Sequence, residues 1–203
     1  MGASIIDKIT MPEAKDFFGR LSQTNQYNIT LDLPYQVELY LRDTFGDYRN
    51  FKKRFNLLCS DTSLPTSSFA TGEVKDNYMG IPQEFAHTRI YNDIDFTFYI
   101  DDDYSALKIL DGWMDFISGG QQDIRRNAFR RFQYPNTYKT DTLYVTKFEK
   151  DIRTNALTYK FINAFPKTIT PIPISYGSAD ILKVTVSFNF DRYVMGNILV
   201  QSQ

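Results

Sequence analysis

Cysteine and histidine are almost missing from this 203-residue chain; each occurs once, as Cys59 and His87. A single cysteine excludes an internal disulfide framework and fits folding in a reducing compartment. A single histidine excludes a multi-histidine metal site. Charge of either sign is not in excess: 23 Lys and Arg stand against 24 Asp and Glu, for a net charge of −1. Nothing in that balance points to nucleic acid or to an anionic membrane. No apolar run reaches the roughly 18 residues of a spanning helix. The first residues lack the basic-then-apolar layout of a signal peptide. Met1-Gly2 is followed by Ile6 where a myristoylation signal wants Ser or Thr. There is no Gly-rich phosphate loop, nucleophile elbow, metal signature or cofactor fingerprint. No catalytic, cofactor-binding or metal-ligating residue is therefore assigned, and the chain is read as a non-enzyme. A carboxylate pair for glycoside chemistry would be set by the fold and not by local spacing.

Apolar residues are plentiful, at 42% with 16% aromatics, enough for a sizeable core. The chain is organised around residues 92–117. Ile94, Phe96, Phe98 and Ile100 alternate with Asp93, Asp95, Thr97 and Tyr99, the period of a half-buried strand. After Asp101-Asp102-Asp103 the period changes. Leu107, Leu110, Trp113 or Met114, and Ile117 mark one face of a helix that Ser118-Gly119-Gly120 ends. Asp103 is the expected N-cap. A calcium loop would need alternate acids, a glycine and a closing glutamate, so the acidic triplet reads as a helix start.

Residues 1–28 read as an N-terminal arm, with a short helix from Pro12 to Gly19. Phe17 and Phe18 would cover a sheet edge in a monomer or dock on a neighbour in an oligomer; terminal arms are mobile unless tied down, which favours the neighbour. Residues 29–203 form one domain. Val37, Leu39 and Leu41 alternate as a strand, Asp43–Gly46 turns, and Phe55, Leu57 and Cys59 share a face of a returning strand. Cys59 reads as a small core residue. Residues 64–92 form a long connection, with short strands near Glu73–Lys75 and Gln83–Ile90, and such connections carry contacts. His87 reads as a hydrogen-bonded surface or interface residue.

Segment 119–138 interleaves Arg125, Arg126, Arg130 and Arg131 with Phe129, Phe132 and Tyr134. That pattern suits nucleic acid or a protein interface, and the acidic balance favours the interface. Strands return at Leu143–Phe148 and Leu157–Phe161. Ile169–Ser175, with Pro171 and Pro173, suits an edge. The last strand is the clearest: Leu182, Val184, Val186, Phe188 and Phe190 alternate with Lys183, Thr185, Ser187, Asn189 and Asp191. The expected fold is mainly β (α+β), an antiparallel barrel or sandwich of roughly six to eight strands with one principal helix on its edge.

The order of these segments resembles the tail tube protein family of contractile-tailed (T4-like) bacteriophages. The matching pieces are Cys59-Ser-Asp-Thr-Ser-Leu-Pro65, the strand-to-helix unit from Tyr91 to Tyr104 with Trp113, the turn Phe161-Ile-Asn-Ala-Phe-Pro166, and the closing strand Val184–Tyr193. The resemblance implies hexameric rings whose sheets join into one barrel, stacked into a tube inside a sheath. Such a tube is a virion part, assembled in the host cytoplasm, that conducts DNA on ejection without binding it specifically. A sheath protein, a baseplate tube initiator and a tail terminator are the implied partners, with no cofactor. Under this reading Asp93, Asp95, Thr97, Lys183, Thr185, Ser187 and Asn189 face the lumen. Phe17, Phe18, Tyr78, Met79, Phe85, Arg126 and Arg130 make subunit and ring contacts. An initiator or terminator of the same fold is the alternative. A β-sandwich glycan-binding module, or a hydrolase, is the remoter one.

Overall fold

A computed structural model describes residues 21–46, 55–75, 80–119, 131–149, 156–174, 176–177 and 180–196. Ten strands and three helices follow in order: β1 (Tyr27–Leu31), α1 (Tyr35–Phe45), β2 (Cys59–Thr62), β3 (Ser67–Val74), β4 (Gln83–Tyr91), β5 (Ile94–Tyr99), α2 (Ser105–Ile117), α3 (Pro135–Tyr138), β6 (Leu143–Phe148), β7 (Ala156–Ile162), β8 (Phe165–Ile169), β9 (Lys183–Asn189) and β10 (Arg192–Gly196). The strands make two antiparallel sheets. The first has the order β1-β6-β7-β10 and the second β2-β5-β9-β8, while β3 and β4 pair only with each other. Among the described residues each four-stranded sheet keeps two edges unpaired, so these residues of one chain form a sandwich and close no barrel.

The core lies between the sheets and under the helices. β5 and β9 turn Ile94, Phe96, Phe98, Val184, Val186 and Phe188 inward, all buried. The first sheet supplies Ile29, Leu31, Leu143, Val145 and Phe161. Burying each such side chain stabilises by about 1.5–3 kcal/mol. The α2 helix closes the core with Trp113, whose ring meets Phe188 edge-on at 5.9 Å. Its indole N–H donates to the Tyr138 carbonyl at 3.0 Å, so the ring is buried with its one polar group paired.

Sequence and structure part company at α1. Val37, Leu39 and Leu41 suit a strand, but the segment is a helix that buries Val37 and Leu41. Residues four apart share a helix face, so Val37 and Leu41 also fit a helical period, while Leu39 turns to the other side and is only half-buried. Packing on α2 decides: the Tyr40 hydroxyl donates to Asp115 at 2.6 Å, and Gly112 lets Leu41 and Phe45 approach the α2 backbone. Gly46, at φ +82°, then ends α1 by donating its amide to Arg42. The returning strand is also shorter than expected. Residues 55–57 make a helical turn that buries Phe55 against Phe98 and leaves Leu57 81% exposed, and β2 starts only at Cys59.

The α2 cap differs as well. Tyr104 is left-handed at φ 55°, and this turn carries Asp101 back onto the helix start. Asp101, not Asp103, accepts the Ser105 amide at 2.7 Å and the Ser105 hydroxyl at 2.6 Å. Within the 64–92 connection β3 and β4 pair antiparallel along eight positions of β3, with a bulge between Ala70 and Thr71. The closing strand divides at Phe190-Asp191: β9 stays in the second sheet and β10 joins the first. Together with β1 and the long hairpin, that division raises the strand count above the expected range.

Candidate functional site

The second sheet turns a polar face away from the core. Register puts Asp95 opposite Ser187, Thr97 opposite Thr185, and Tyr99 opposite Lys183. Antiparallel partners share a face, so the seven residues expected along a lumen fall on one continuous surface around β5 and β9. The face is internally paired. Ser187 donates to Asp95. The Thr97 and Thr185 hydroxyls are 3.0 Å apart. Asn189 donates to Asp93 at 2.8 Å, and Lys167 reaches Asp93 at 2.6 Å. The Lys183 ammonium lies 5.1 Å from the centre of the Tyr99 ring. From the edge strand β2, the Ser60 and Thr62 hydroxyls donate to the Thr97 and Asp95 carbonyls at 3.1 and 3.2 Å.

Partial burial of Asp93 opposes its charge. The hydrogen bonds from Lys167 and Asn189, with the Lys167 charge, outweigh this and hold the carboxyl below the usual aspartate range. Both lysines of the face are thus engaged, one by a carboxylate and one by an aromatic ring. What remains outward is short hydroxyl, amide and carboxylate groups, with the Tyr99 ring at one end. Lys167 was not among the expected lining residues. Its signal was its place beside Pro166, where a bulge between Pro166 and Thr168 turns β8.

The corner behind this face is held by Asn163 and Asp191. Asn163 is left-handed at φ 58°, a conformation asparagine tolerates. Its amide group donates to Asp191 at 2.6 Å, and Lys139 approaches the same carboxylate at 3.2 Å. The Asn163 hydrogen bond, with help from Lys139, holds Asp191 below its ordinary range against the cost of partial burial. This is the structural content of the Asn163-Ala-Phe-Pro166 turn.

The second surface is the β3–β4 hairpin. Every residue of β4 before Tyr91 is exposed. Phe85, expected at a ring contact, lies here at 54% exposure, joined by Phe69, Val74, Ile81 and Ile90. His87 sits beside the bulge, exposed, with Nδ1 2.8 Å from the Thr88 hydroxyl. Phe17, Phe18, Tyr78, Met79, Arg126 and Arg130 fall outside the described residues. Cys59 is half-buried, and burial pushes its thiol up to about 12, so it packs as a neutral group. The Asp101–Asp103 carboxylates lie close together, but Asp101 caps α2. Among the described residues no helix is long and apolar enough to cross a membrane.

A family model described as "phage tail tube protein" matches residues 22–196. No curated protein matches the sequence. Among solved structures, the chain is similar to the sheath-tube complex of an extracellular contractile injection system, PVC, in its extended state. Identity is 13%, coverage is 91% of this chain and 97% of that one, and the TM-score is 0.54. The sheath/tube terminator structure of the same system gives 14% identity, 87% and 96% coverage, and a TM-score of 0.53. The tube-terminating cap of the anti-feeding prophage gives 13%, 88% and 92%, and 0.51.

Proposed function

The chain belongs to the phage tail tube protein family, and we propose that it is the repeating subunit of a contractile tail's tube. The observation that carries this is the second sheet: polar outside, apolar inside along β5 and β9, and, among the described residues, open along both β2 and β8. An open edge invites another strand, and closing the sheet across subunits removes it. β8 of one copy meets β2 of the next, and the polar face becomes the wall of a channel. Six copies of a four-stranded sheet, at about 4.8 Å per strand, give a backbone ring roughly 37 Å across.

Such a channel suits DNA because it holds DNA weakly. Phosphate affinity rises with the number of neutralising cations, and both lysines of this wall are engaged. The paired hydroxyls and carboxylates stay hydrated without offering a phosphate a counter-ion. The role is structural. The protein is a component of the phage tail, assembled in the host cytoplasm, with a sheath outside the tube and a baseplate initiator and a terminator at its ends.

A terminator of the same fold is the second reading, supported by the likeness to a tube terminator and a tube-terminating cap. Negative-stain electron microscopy of the purified protein over a wide concentration range, with its mass in solution, separates the two. Long stacked rings support the repeating subunit. Rings that never stack support the terminator. Monomers that ring-forming partners also fail to recruit would overturn both.

A further inference from the structure

The two edge strands of the second sheet carry charges of opposite sign. On β2, Asp61 is exposed and stands opposite Thr97, so its carboxylate lies on the polar face. None of the ion pairs among the described residues uses it. On β8, Lys167 sits in the bulge between Pro166 and Thr168 and reaches Asp93, which puts it on the same face. Its side chain is about half exposed, and an ammonium has donors to spare after one carboxylate. β2 is bulged too, between Cys59 and Asp61. Short, bulged, charged edges guard a sheet against indiscriminate pairing. Here the two guards differ in sign.

Strand direction alone leaves the choice of partner open. The order β2-β5-β9-β8 is antiparallel throughout, so β2 and β8 run in opposite directions. β8 can meet β2 of a copy turned about a channel axis, a heterologous contact that closes into a ring. β2 can also meet β2, or β8 meet β8, across a two-fold, an isologous contact that stops at two chains. All three junctions are antiparallel, so backbone hydrogen bonds do not discriminate. Charge does. A β2–β2 junction brings two Asp61 carboxylates onto one face, and a β8–β8 junction brings two Lys167 ammoniums together. Only β8 with β2 sets opposite charges across the junction, and facing charges stabilise or destabilise a strand pair by their sign.

Length sets the register. β2 has four residues and β8 has five. Full antiparallel overlap places Asp61 beside Pro166-Lys167. Neighbouring strands lie about 4.8 Å apart. The flexible four-carbon stem of lysine spans that gap.

We infer that Lys167 of one copy and Asp61 of the next form the pair that selects β8–β2 closure and sets its register. Asp93 parks the ammonium in the free chain, and closure passes it to Asp61 across the seam. A carboxylate holds the lysine in both states, so the channel face gains no free cation. The inference rests on the ring reading and names the two side chains that give the seam its direction.

Charge reversal tests it. One chain carries Lys167→Asp, with Asp93→Asn so that two carboxylates do not face each other within it. The other carries Asp61→Lys. Each alone should remain monomeric, by sedimentation and negative-stain microscopy, at concentrations where the parent closes rings. An equimolar mixture should recover rings containing equal numbers of both chains by native mass spectrometry, because only alternation joins unlike charges at every seam. Rings from either chain alone overturn the pair and leave the ring reading standing. So does a mixture that fails although both chains melt like the parent.

Milder variants cover a reversed chain that does not fold. Asp61→Asn should weaken each seam about two- to fivefold. Over about six seams that compounds to a loss of roughly 60-fold or more in ring formation. Lys167→Met should match it, and the two together should lose no more than either alone; additive losses overturn the pair. Asp93→Asn removes only the parking site and should leave rings intact; a loss equal to that of Asp61→Asn overturns the transfer. A parent chain that closes no ring, alone or with ring-forming partners, overturns the ring reading and the seam together.

Discussion

Lys167 reaches across β9 to Asp93: its ammonium lies 2.6 Å from the carboxylate, joining the edge strand β8 to the start of β5. The lysine side chain is about half exposed and Asp93 mostly covered. Solvent screening limits such a pair to below about 1 kcal/mol. Asp93 has a lowered folded-state value, so its contribution is present above the ordinary aspartate range and is lost as pH falls through the folded value. Asp93→Asn should therefore lower the melting temperature slightly at pH 7. The gap from the parent protein should narrow below about pH 4, as a pH series of thermal melts would read. A gap that widens on acidification would contradict the pairing.

Trp113 offers a sharper stability test. It is fully buried, touches Phe188, and spends its indole N–H on Tyr138. Trp113→Ala should cost about 3–5 kcal/mol. Trp113→Phe should cost less, but it leaves the Tyr138 carbonyl without this donor, a loss of about 1–3 kcal/mol before packing changes. Urea unfolding measures both, and a loss under about 1 kcal/mol for the alanine variant would show that the helix does not close the core.

Gly119 ends α2 at φ +106°, and a Cβ there would meet the Arg131 carbonyl oxygen at 2.7 Å. Gly119→Ala should destabilise by about 1–2 kcal/mol or more, because backbone must move as well as twist. Gly46 has a positive φ but open space around it. Gly46→Ala should cost only the conformational part, about 1 kcal/mol. Equal losses at the two sites in denaturant titrations would remove the steric argument.

The polar face of the second sheet makes a prediction about DNA. Thr97 and Thr185 are a facing pair with hydroxyls 3.0 Å apart. Replacing both by lysine puts two new cations per subunit on that face. Assembled rings or tubes of the variant should co-sediment with a short DNA duplex at low salt and release it steeply as salt rises. The parent assemblies should not retain the duplex. A variant that assembles yet binds no DNA would mean that this face lies outside the channel.

Much of the architecture was legible because it is written in local periods. The β5 and β9 alternations and the α2 stripe need no tertiary information, and each lies where its residues put it. The grouping of the seven polar residues on one face was half legible. Each strand announced its own polar face, but only pairing of β5 with β9 makes the two faces one.

Local pattern fixed the mainly β class, the principal helix, its glycine stop and the polarity of the central strands, since these depend on which way successive side chains point. Tertiary structure decided the rest. The alternation at 37, 39 and 41 suits a strand, the 37–41 spacing also suits a helix face, and contact with α2 selected the helix. The reach of Lys167 to Asp93 and the bond of Arg89 to Tyr193 join residues 74 and 104 positions apart, and the corner at Phe190-Asp191 sends β10 back to pair with β7. No local signal encodes such pairs; the free energy of packing the two sheets on one core brings them together.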